Sequence, residues 1–126
     1  MNGKTLNYCN NFSGFSLFVS RLNSKLAESL RCASAIGTAL RQEGFQPTHH
    51  HAEKINGENK AWADKENGVY YYDNLAILKN THCPAVLLEA GIIVNKKDER
   101  LLQNPKIRKA IANAIKKGLT AHSLEE

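Results

Sequence analysis

The chain is organised around residues 84–95, which read PAVLLEAGIIVN. Residues 85–88 form an unbroken apolar run, which is typical of a strand buried on both faces in a parallel sheet covered by helices. Pro84 opens the run, and a missing N–H is tolerated at the first residue of a strand. The run ends on Glu89, which Ala90 and Gly91 follow. The stretch therefore predicts a central strand that ends abruptly on a carboxylate.

Glu89 is the first candidate for chemistry. A carboxylate directly after an apolar run is costly to bury without a partner. Ligands bind at the carboxyl ends of strands in open α/β sheets, so we expect the Glu89 side chain to face a cleft. The alternative is a structural role, in which Glu89 accepts hydrogen bonds from backbone N–H groups of the following loop. Position alone leaves both interpretations open.

The segment before this stretch predicts a strand, a helix and a short extended piece. Residues 15–20 alternate, with Phe18 on the opposite face from its apolar neighbours, as in a strand. Ser24 is the predicted N-cap of a helix whose apolar positions recur in steps of three and four, and Gly44 is its predicted stop. Residues 69–72 are expected to be extended.

Three further helical elements lie before and after the central strand. A short helix holding Leu75 and Leu78 leads into it, and strand, helix and strand in this order favour parallel pairing with a right-handed crossover. After the strand, Asp98 is the predicted N-cap of a short helical turn. Asn104 and Pro105 are a favoured pair of residues for starting the last helix, which we expect to end near residue 118. The predicted fold is α/β, with a mainly parallel sheet and helices packed on its faces.

Composition restricts the class of partner. The 126 residues suggest one small domain, and a formal charge of +5 with a pI of about 9.2 favours anionic partners. The basic residues form no stripe interleaved with aromatics, so nucleic-acid binding is not expected. No apolar stretch approaches the length of a membrane span. The N-terminus carries no charged-then-apolar export signal.

A polar segment, residues 46–68, holds the local candidates for metal ligands. It contains three consecutive histidines, residues 49–51, together with Glu53 and Glu58. Adjacent histidines on an extended segment point to opposite faces, so we expect a solvated loop here rather than a native zinc site. His82 is assigned to a loop as well.

Residues 84–95, with the following KKDERLL, resemble the end of the zinc-dependent N-acetylmuramoyl-L-alanine amidases of the Amidase_3 type. In that family a strand of the form PAVLxE leads into a glycine, two apolar residues, one further residue and an asparagine. The resemblance extends back to GFSLFVS at residues 14–20 and NSKLA at residues 23–27, and covers about residues 12–119. It implies that Glu89 is the catalytic glutamate. It also implies an Amidase_3-like, phosphorylase/hydrolase-like fold that is N-terminally truncated.

The resemblance implies zinc as the cofactor without identifying its ligands in this chain. The family binds zinc through two histidines and a glutamate, two of which lie upstream of the matched segment. The second histidine belongs near residues 6–10, LNYCN, where Tyr8 takes its place if Asn10 matches the family's asparagine. We therefore expect a polar segment at residues 1–13, a partial catalytic domain at 14–119 and a polar tail at 120–126. No metal ligand is assigned.

The function implied by the resemblance is cleavage of the peptidoglycan amide between N-acetylmuramic acid and L-alanine. Glu89 would be the general base and then the general acid. Asn95 and Arg100 are candidate substrate-binding residues: Asn95 ties down the loop, and Arg100 pairs with Glu89 or with a substrate carboxylate. A plain surface role for Arg100 is the alternative. The expected partner is peptidoglycan, and the expected location is the cell envelope or the extracellular space.

Two other interpretations stay open. The first is a non-catalytic α/β module that binds cell wall or a partner protein through its cleft and aromatic residues. The second is a gene fragment without an independent function, for which an exposed sheet edge would be evidence. Whether the chain is active alone is also left open by the sequence.

Overall fold

A computed structural model describes residues 14–52, 59–91 and 95–125. The predictions for residues 1–13, Glu53, Glu58 and 92–94 lie outside the described residues. Along the described chain the elements are β1 (Ser16–Val19), α1 (Leu26–Gln42), a turn of 3-10 helix (His50–Ala52), β2 (Trp62–Asp64), β3 (Val69–Tyr71), α2 (Ala76–Lys79), β4 (Leu87–Glu89), α3 (Lys96–Gln103) and α4 (Pro105–Glu125).

The described strands form one mixed sheet in the order β2-β3-β1-β4. β1 pairs with β3 in parallel, but β4 pairs with β1 antiparallel and β2 pairs with β3 antiparallel. The α/β class is confirmed, and the prediction of a mainly parallel sheet is wrong. An apolar run indicates burial but carries no information on strand direction. β4 has β1 as its one neighbour among the described strands, so the predicted central position is not seen there.

One face of the sheet is covered by helices, and we call it the helical face. Alternation along β1 sends Leu17 and Val19 to this side. α1 and α4 cover it and pack against each other. The buried residues of this cluster are Phe15, Leu17, Val19, Cys32, Ala33, Ile36, Ala39, Leu40, Val69, Ile111 and Ala114.

Gly118 belongs to the packing of this face and does not end the last helix. α4 continues through Glu125, so the predicted end near residue 118 is wrong. A Cβ atom at Gly118 would lie 2.7 Å from the Cα atom of Ile36 in α1. The missing side chain therefore allows close approach of the two helices.

The opposite face, which we call the aromatic face, has a different cover. Phe18, Tyr70 and Leu78 are buried there, and half-buried partners that include Trp62 and Leu87 pack against them. α2 and the residues around the 3-10 turn contribute to this cluster. The β1 alternation predicted from sequence is confirmed, because Phe18 lies opposite to Leu17 and Val19.

The start of α1 differs from the prediction. Ser24 is not the N-cap: Lys25 occupies that position and makes no side-chain capping bond. Asn23 has a related role, because its Oδ1 atom accepts a hydrogen bond from the Lys25 N–H at 2.7 Å. Gly44 follows the helix with a φ of 95°, a value that favours glycine, so the predicted stop is confirmed.

The caps of the last two helices are asparagines. Asn95 caps α3, and its Oδ1 atom accepts a hydrogen bond from the Asp98 N–H at 3.0 Å. The prediction of Asp98 as this cap is wrong. Asn104 accepts from the Lys106 N–H at 2.9 Å, and Pro105 is the first residue of α4, as predicted.

Candidate active site

Glu89 is the last residue of β4, so the predicted strand end on a carboxylate is confirmed. Its Cα atom lies opposite Ser16 of β1. Leu88 packs with the helical face and Leu87 with the aromatic face. Because successive side chains of a strand alternate, Glu89 is directed to the aromatic face. Its side chain is 48% exposed, so the carboxylate is accessible to solvent.

His51 contacts this carboxylate. The Nε2 atom of His51 lies 3.3 Å from the Oε2 atom of Glu89, and the His51 side chain is only 12% exposed. The expectation of a solvated loop is therefore wrong for this histidine. Residues 50–52 form a turn of 3-10 helix rather than an extended segment, so the predicted alternation of the three histidines does not apply.

The His51 ring is held by aromatic side chains of the sheet. It meets the Phe18 ring at a centroid distance of 5.0 Å and the Tyr70 ring at 5.4 Å, with interplanar angles of 72° and 88°. Such edge-to-face pairs are favourable contacts for aromatic rings. The backbone is fixed too, because the carbonyl oxygen of His51 accepts a hydrogen bond from the Lys60 N–H at 2.7 Å.

Thr48 attaches the preceding residues to the sheet. Its N–H donates to the carbonyl oxygen of Phe15 at 2.8 Å. Its own carbonyl accepts from the hydroxyl group of Tyr70 at 2.6 Å. The segment that carries His51 is thus bonded to residues far from it in the sequence.

His49 and His82 do not share this arrangement. The side chain of His49 is exposed, and its ring meets that of Trp62 at 5.4 Å. His82 is exposed in the loop before β4, which confirms its assignment to a loop. His51 is therefore the histidine of the candidate site in the described part of the chain.

Asn95 lies at the start of α3, and Arg100 lies within the helix. Asn95 is 3% exposed and caps the helix. Arg100 is exposed, and it borders a shallow polar depression together with Lys96, Glu99 and Gln103. Within the described ranges no ion pair joins Arg100 to Glu89; the recorded partner of the carboxylate is His51.

A cleft of about 140 Å³ lies beside Ala90, the residue after Glu89. Its apolar walls include Phe15 and Ile107, which belong to the helical face. At its rim, the Oδ2 atom of Asp98 accepts a hydrogen bond from the Gly14 N–H at 3.0 Å. Glu89 does not line this cleft. The carboxylate is directed to His51 on the other face of the sheet.

The described residues do not supply a zinc site. Across residues 14–52, 59–91 and 95–125, no group of three or more His, Cys, Asp or Glu side chains is placed to hold a metal ion. Glu89 and His51 together offer two donors, whereas catalytic zinc normally takes three protein ligands. We therefore assign no zinc ligand among these residues. In the same part of the chain, every helix is too short or too polar to span a membrane.

Solved amidase structures share this fold. An N-acetylmuramyl-L-alanine amidase from Mycobacterium smegmatis superposes with a TM-score of 0.76 at 22% identity, covering 94% of this chain and 50% of that one. The apo form of the corresponding amidase from Mycobacterium abscessus gives 0.68 at 24% identity, covering 88% and 48%. The CwlD amidase from Clostridioides difficile, solved in complex with the GerS lipoprotein, gives 0.68 at 22% identity, covering 96% and 52%.

This chain spans about half the length of each of these structures. At these identities the likeness shows the fold alone. A comparison with curated proteins gave no match. The family model described as N-acetylmuramoyl-L-alanine amidase, Amidase_3, matches residues 6–121, so the chain belongs to the Amidase_3 family.

Proposed function

We propose that this chain is the part of a peptidoglycan amidase that carries the proton-transferring carboxylate, Glu89. The reaction is hydrolysis of the amide between N-acetylmuramic acid and L-alanine. The observation that carries the proposal is a half-exposed carboxylate at the end of β4, inside the segment that matches the Amidase_3 family and in contact with a histidine whose side chain is 12% exposed. The extent of the catalytic part, residues 14–119, belongs to the proposal.

Glu89 has a defined role in this chemistry. Its carboxylate accepts a proton from the attacking water and later gives it to the leaving amine of L-alanine. Proton transfer by a positioned side chain typically contributes about 100- to 10,000-fold to the rate. The family is generally zinc-dependent, and zinc supplies Lewis-acid activation of the amide carbonyl when it is bound. Because the described residues hold no three-ligand set, no step is assigned to the metal here.

Arg100 and Asn95 have supporting roles in the proposal. Arg100 is an exposed cation next to Lys96 on α3, and guanidinium groups suit the planar carboxylates of a stem peptide. Asn95 acts through the backbone, because its capping bond to the Asp98 N–H fixes the start of α3. A peptidoglycan substrate places the protein in the cell envelope or outside the cell.

A second function is supported by a different observation. The described residues lack three metal-ligating side chains in one place, which favours a non-catalytic module that binds cell wall or a partner protein. The lipoprotein complex of the C. difficile amidase is a precedent for a protein partner on this fold. The two functions differ in whether bound cell wall is cleaved.

The deciding experiment measures release of L-alanine-bearing stem peptides from purified cell wall, with zinc supplied. Glu89→Gln keeps the size of the side chain and removes the proton acceptor, so release should fall by about 100- to 10,000-fold. Glu43→Gln is the matched control, because Glu43 is an exposed glutamate at the end of α1. Near-full turnover by Glu89→Gln would contradict the proposal. Sedimentation with cell wall without any release would favour the non-catalytic module.

A further inference from the structure

We propose that His51 is a positioning residue for Glu89: it holds one carboxylate oxygen, so that the other is presented to the substrate. The inference rests on the proposed function of Glu89 for its catalytic consequence. The contact itself is a property of this chain. It joins two residues that are 38 positions apart in the sequence and that no local pattern connects.

The chemistry of the two groups decides which of them can donate a hydrogen bond across this contact. An ionised carboxylate is an acceptor only. In any hydrogen bond across the 3.3 Å between Nε2 of His51 and Oε2 of Glu89, the imidazole is therefore the donor. A donor on one oxygen leaves the lone pairs of Oε1 for the water and the leaving amine.

The two partners differ in exposure and packing, and this difference makes His51 the support of Glu89. The Glu89 side chain is 48% exposed at a strand end, so its rotamers are restricted little by packing. The His51 side chain is 12% exposed and lies against the rings of Phe18 and Tyr70. Side chains with many rotamers lose conformational freedom when they are held in place. The packed histidine therefore restricts the rotamers of the more exposed glutamate.

The support behind His51 is itself buried and hydrogen-bonded. Tyr70 is fully buried in the central part of the sheet and pairs with β1 on one side and β2 on the other. Its hydroxyl group bonds the carbonyl of Thr48 three residues before His51. The Lys60 N–H bonds the His51 carbonyl. Glu89 is thus linked through His51 to the best-packed part of the aromatic face.

The first arm of the test follows the Glu89 side chain by NMR in the chain as it stands. Three-bond couplings should report one dominant rotamer in the wild type. His51→Phe keeps a ring against Phe18 and Tyr70 but removes the donor, so the couplings should become averaged. His51→Gln restores an N–H donor and should recover part of the order. His49→Phe is the matched control, because the ring of His49 lies against Trp62.

The second arm measures turnover on cell wall. His51→Phe should lower kcat by about 10- to 100-fold with little change in KM, since misplacement of a catalytic group by 1 Å costs up to about that much. In a Glu89→Gln background the same substitution should cost nothing further, because the group that it positions is gone. His51→Gln should regain part of the lost kcat.

Two results would overturn the proposal. One is equal averaging of the Glu89 couplings in the wild type and in His51→Phe. The other is an undiminished effect of His51→Phe in the Glu89→Gln background, which would mark a general structural role. Wild-type protein that releases no stem peptide would count against the proposed function instead, and the NMR comparison alone would then decide the role of His51.

Discussion

The two faces of the sheet differ in what covers them and in what they carry. On the helical face, α1 and α4 pack aliphatic side chains over β1 and β3. On the aromatic face, rings from the sheet pack under a one-turn helix and a short histidine-containing segment. The candidate site lies on the second face, where Glu89 keeps about half of its side chain exposed. Among the described residues, more buried apolar side chains pack on the helical face than on the aromatic face.

The largest expected effect comes from breaking the helical face. Leu40 in α1 is 1% exposed, and Leu40→Ala leaves a cavity that the surrounding helices cannot fully close. The free energy of unfolding should fall by about 2–5 kcal/mol, as measured by urea denaturation. Leu22→Ala is the control, because Leu22 is 60% exposed. A loss below about 1 kcal/mol at Leu40 would mean that this face is not the main source of stability.

The close packing of α1 against α4 can be tested by a substitution at one glycine, Gly118. Alanine is intrinsically favoured over glycine in a helix by about 1 kcal/mol. At Gly118, however, a Cβ atom would lie 2.7 Å from the backbone of Ile36, so the helices must move apart. We expect Gly118→Ala to lower the free energy of unfolding by about 1–3 kcal/mol. Thr120→Ala, exposed on the same helix, should be neutral or slightly stabilising; a stabilised Gly118→Ala would refute the close approach.

The helical face was predicted well from the sequence, because apolar residues recur there at the regular spacings of strands and helices. The alternation of Leu17 and Val19 against Phe18 assigned each residue to the correct face. Steps of three and four identified α1, and Asn104 with Pro105 identified the start of α4. Strand direction was missed, since apolar runs are the same in either direction. The end of α4 was missed because Gly118 serves packing rather than termination.

The aromatic face was predicted only in part, for a physical reason. Glu89 was recognised from the apolar run before it, which is a local signal. His51 was assigned to solvent, because its placement depends on the Tyr70 hydroxyl group and the Phe15 backbone, both distant in sequence. The signal that could have found it is the polar segment of residues 46–68 itself, since long loops in compact domains are usually functional.

The same substitution, made once on each face of the sheet, tests whether the candidate site depends on its own face. Phe18 lies in β1 on the aromatic face, and Phe15 directly precedes β1 on the helical face. Phe18→Leu removes the ring that contacts His51 and Tyr70, and Phe15→Leu makes the same change on the helical face. Each should cost about 1 kcal/mol of unfolding free energy, as other near-isosteric core changes do. Only Phe18→Leu should make the three-bond couplings of the Glu89 side chain averaged over several rotamers. Equal averaging in both variants would show that the site depends on overall packing rather than on its own face.

The smallest effect on stability is expected at an ion pair beyond the ends of β1 and β3, between Arg21 and Asp73. Asp73 accepts hydrogen bonds from the Arg21 N–H and from Nε at 2.8 Å each, and the Arg21 guanidinium lies over the Tyr71 ring. The side-chain hydrogen bond from Arg21 holds the pKa of the Asp73 carboxyl below its ordinary value of 3.8. Because the Arg21 side chain is 53% exposed, the pair is screened and stabilises only weakly.

The sign of the pH dependence follows from that lowered pKa. A carboxyl group that ionises more readily in the folded state stabilises the fold above its unfolded pKa, near 4. It loses that contribution as the pH falls through the lower folded value. Asp73→Asn should therefore lower Tm by no more than about 3 °C at pH 7, and the difference from wild type should shrink as the pH falls below the unfolded pKa and through the lower folded one. A difference that persists undiminished at pH 2 would show that the amide, rather than the missing charge, disturbs this end of the sheet.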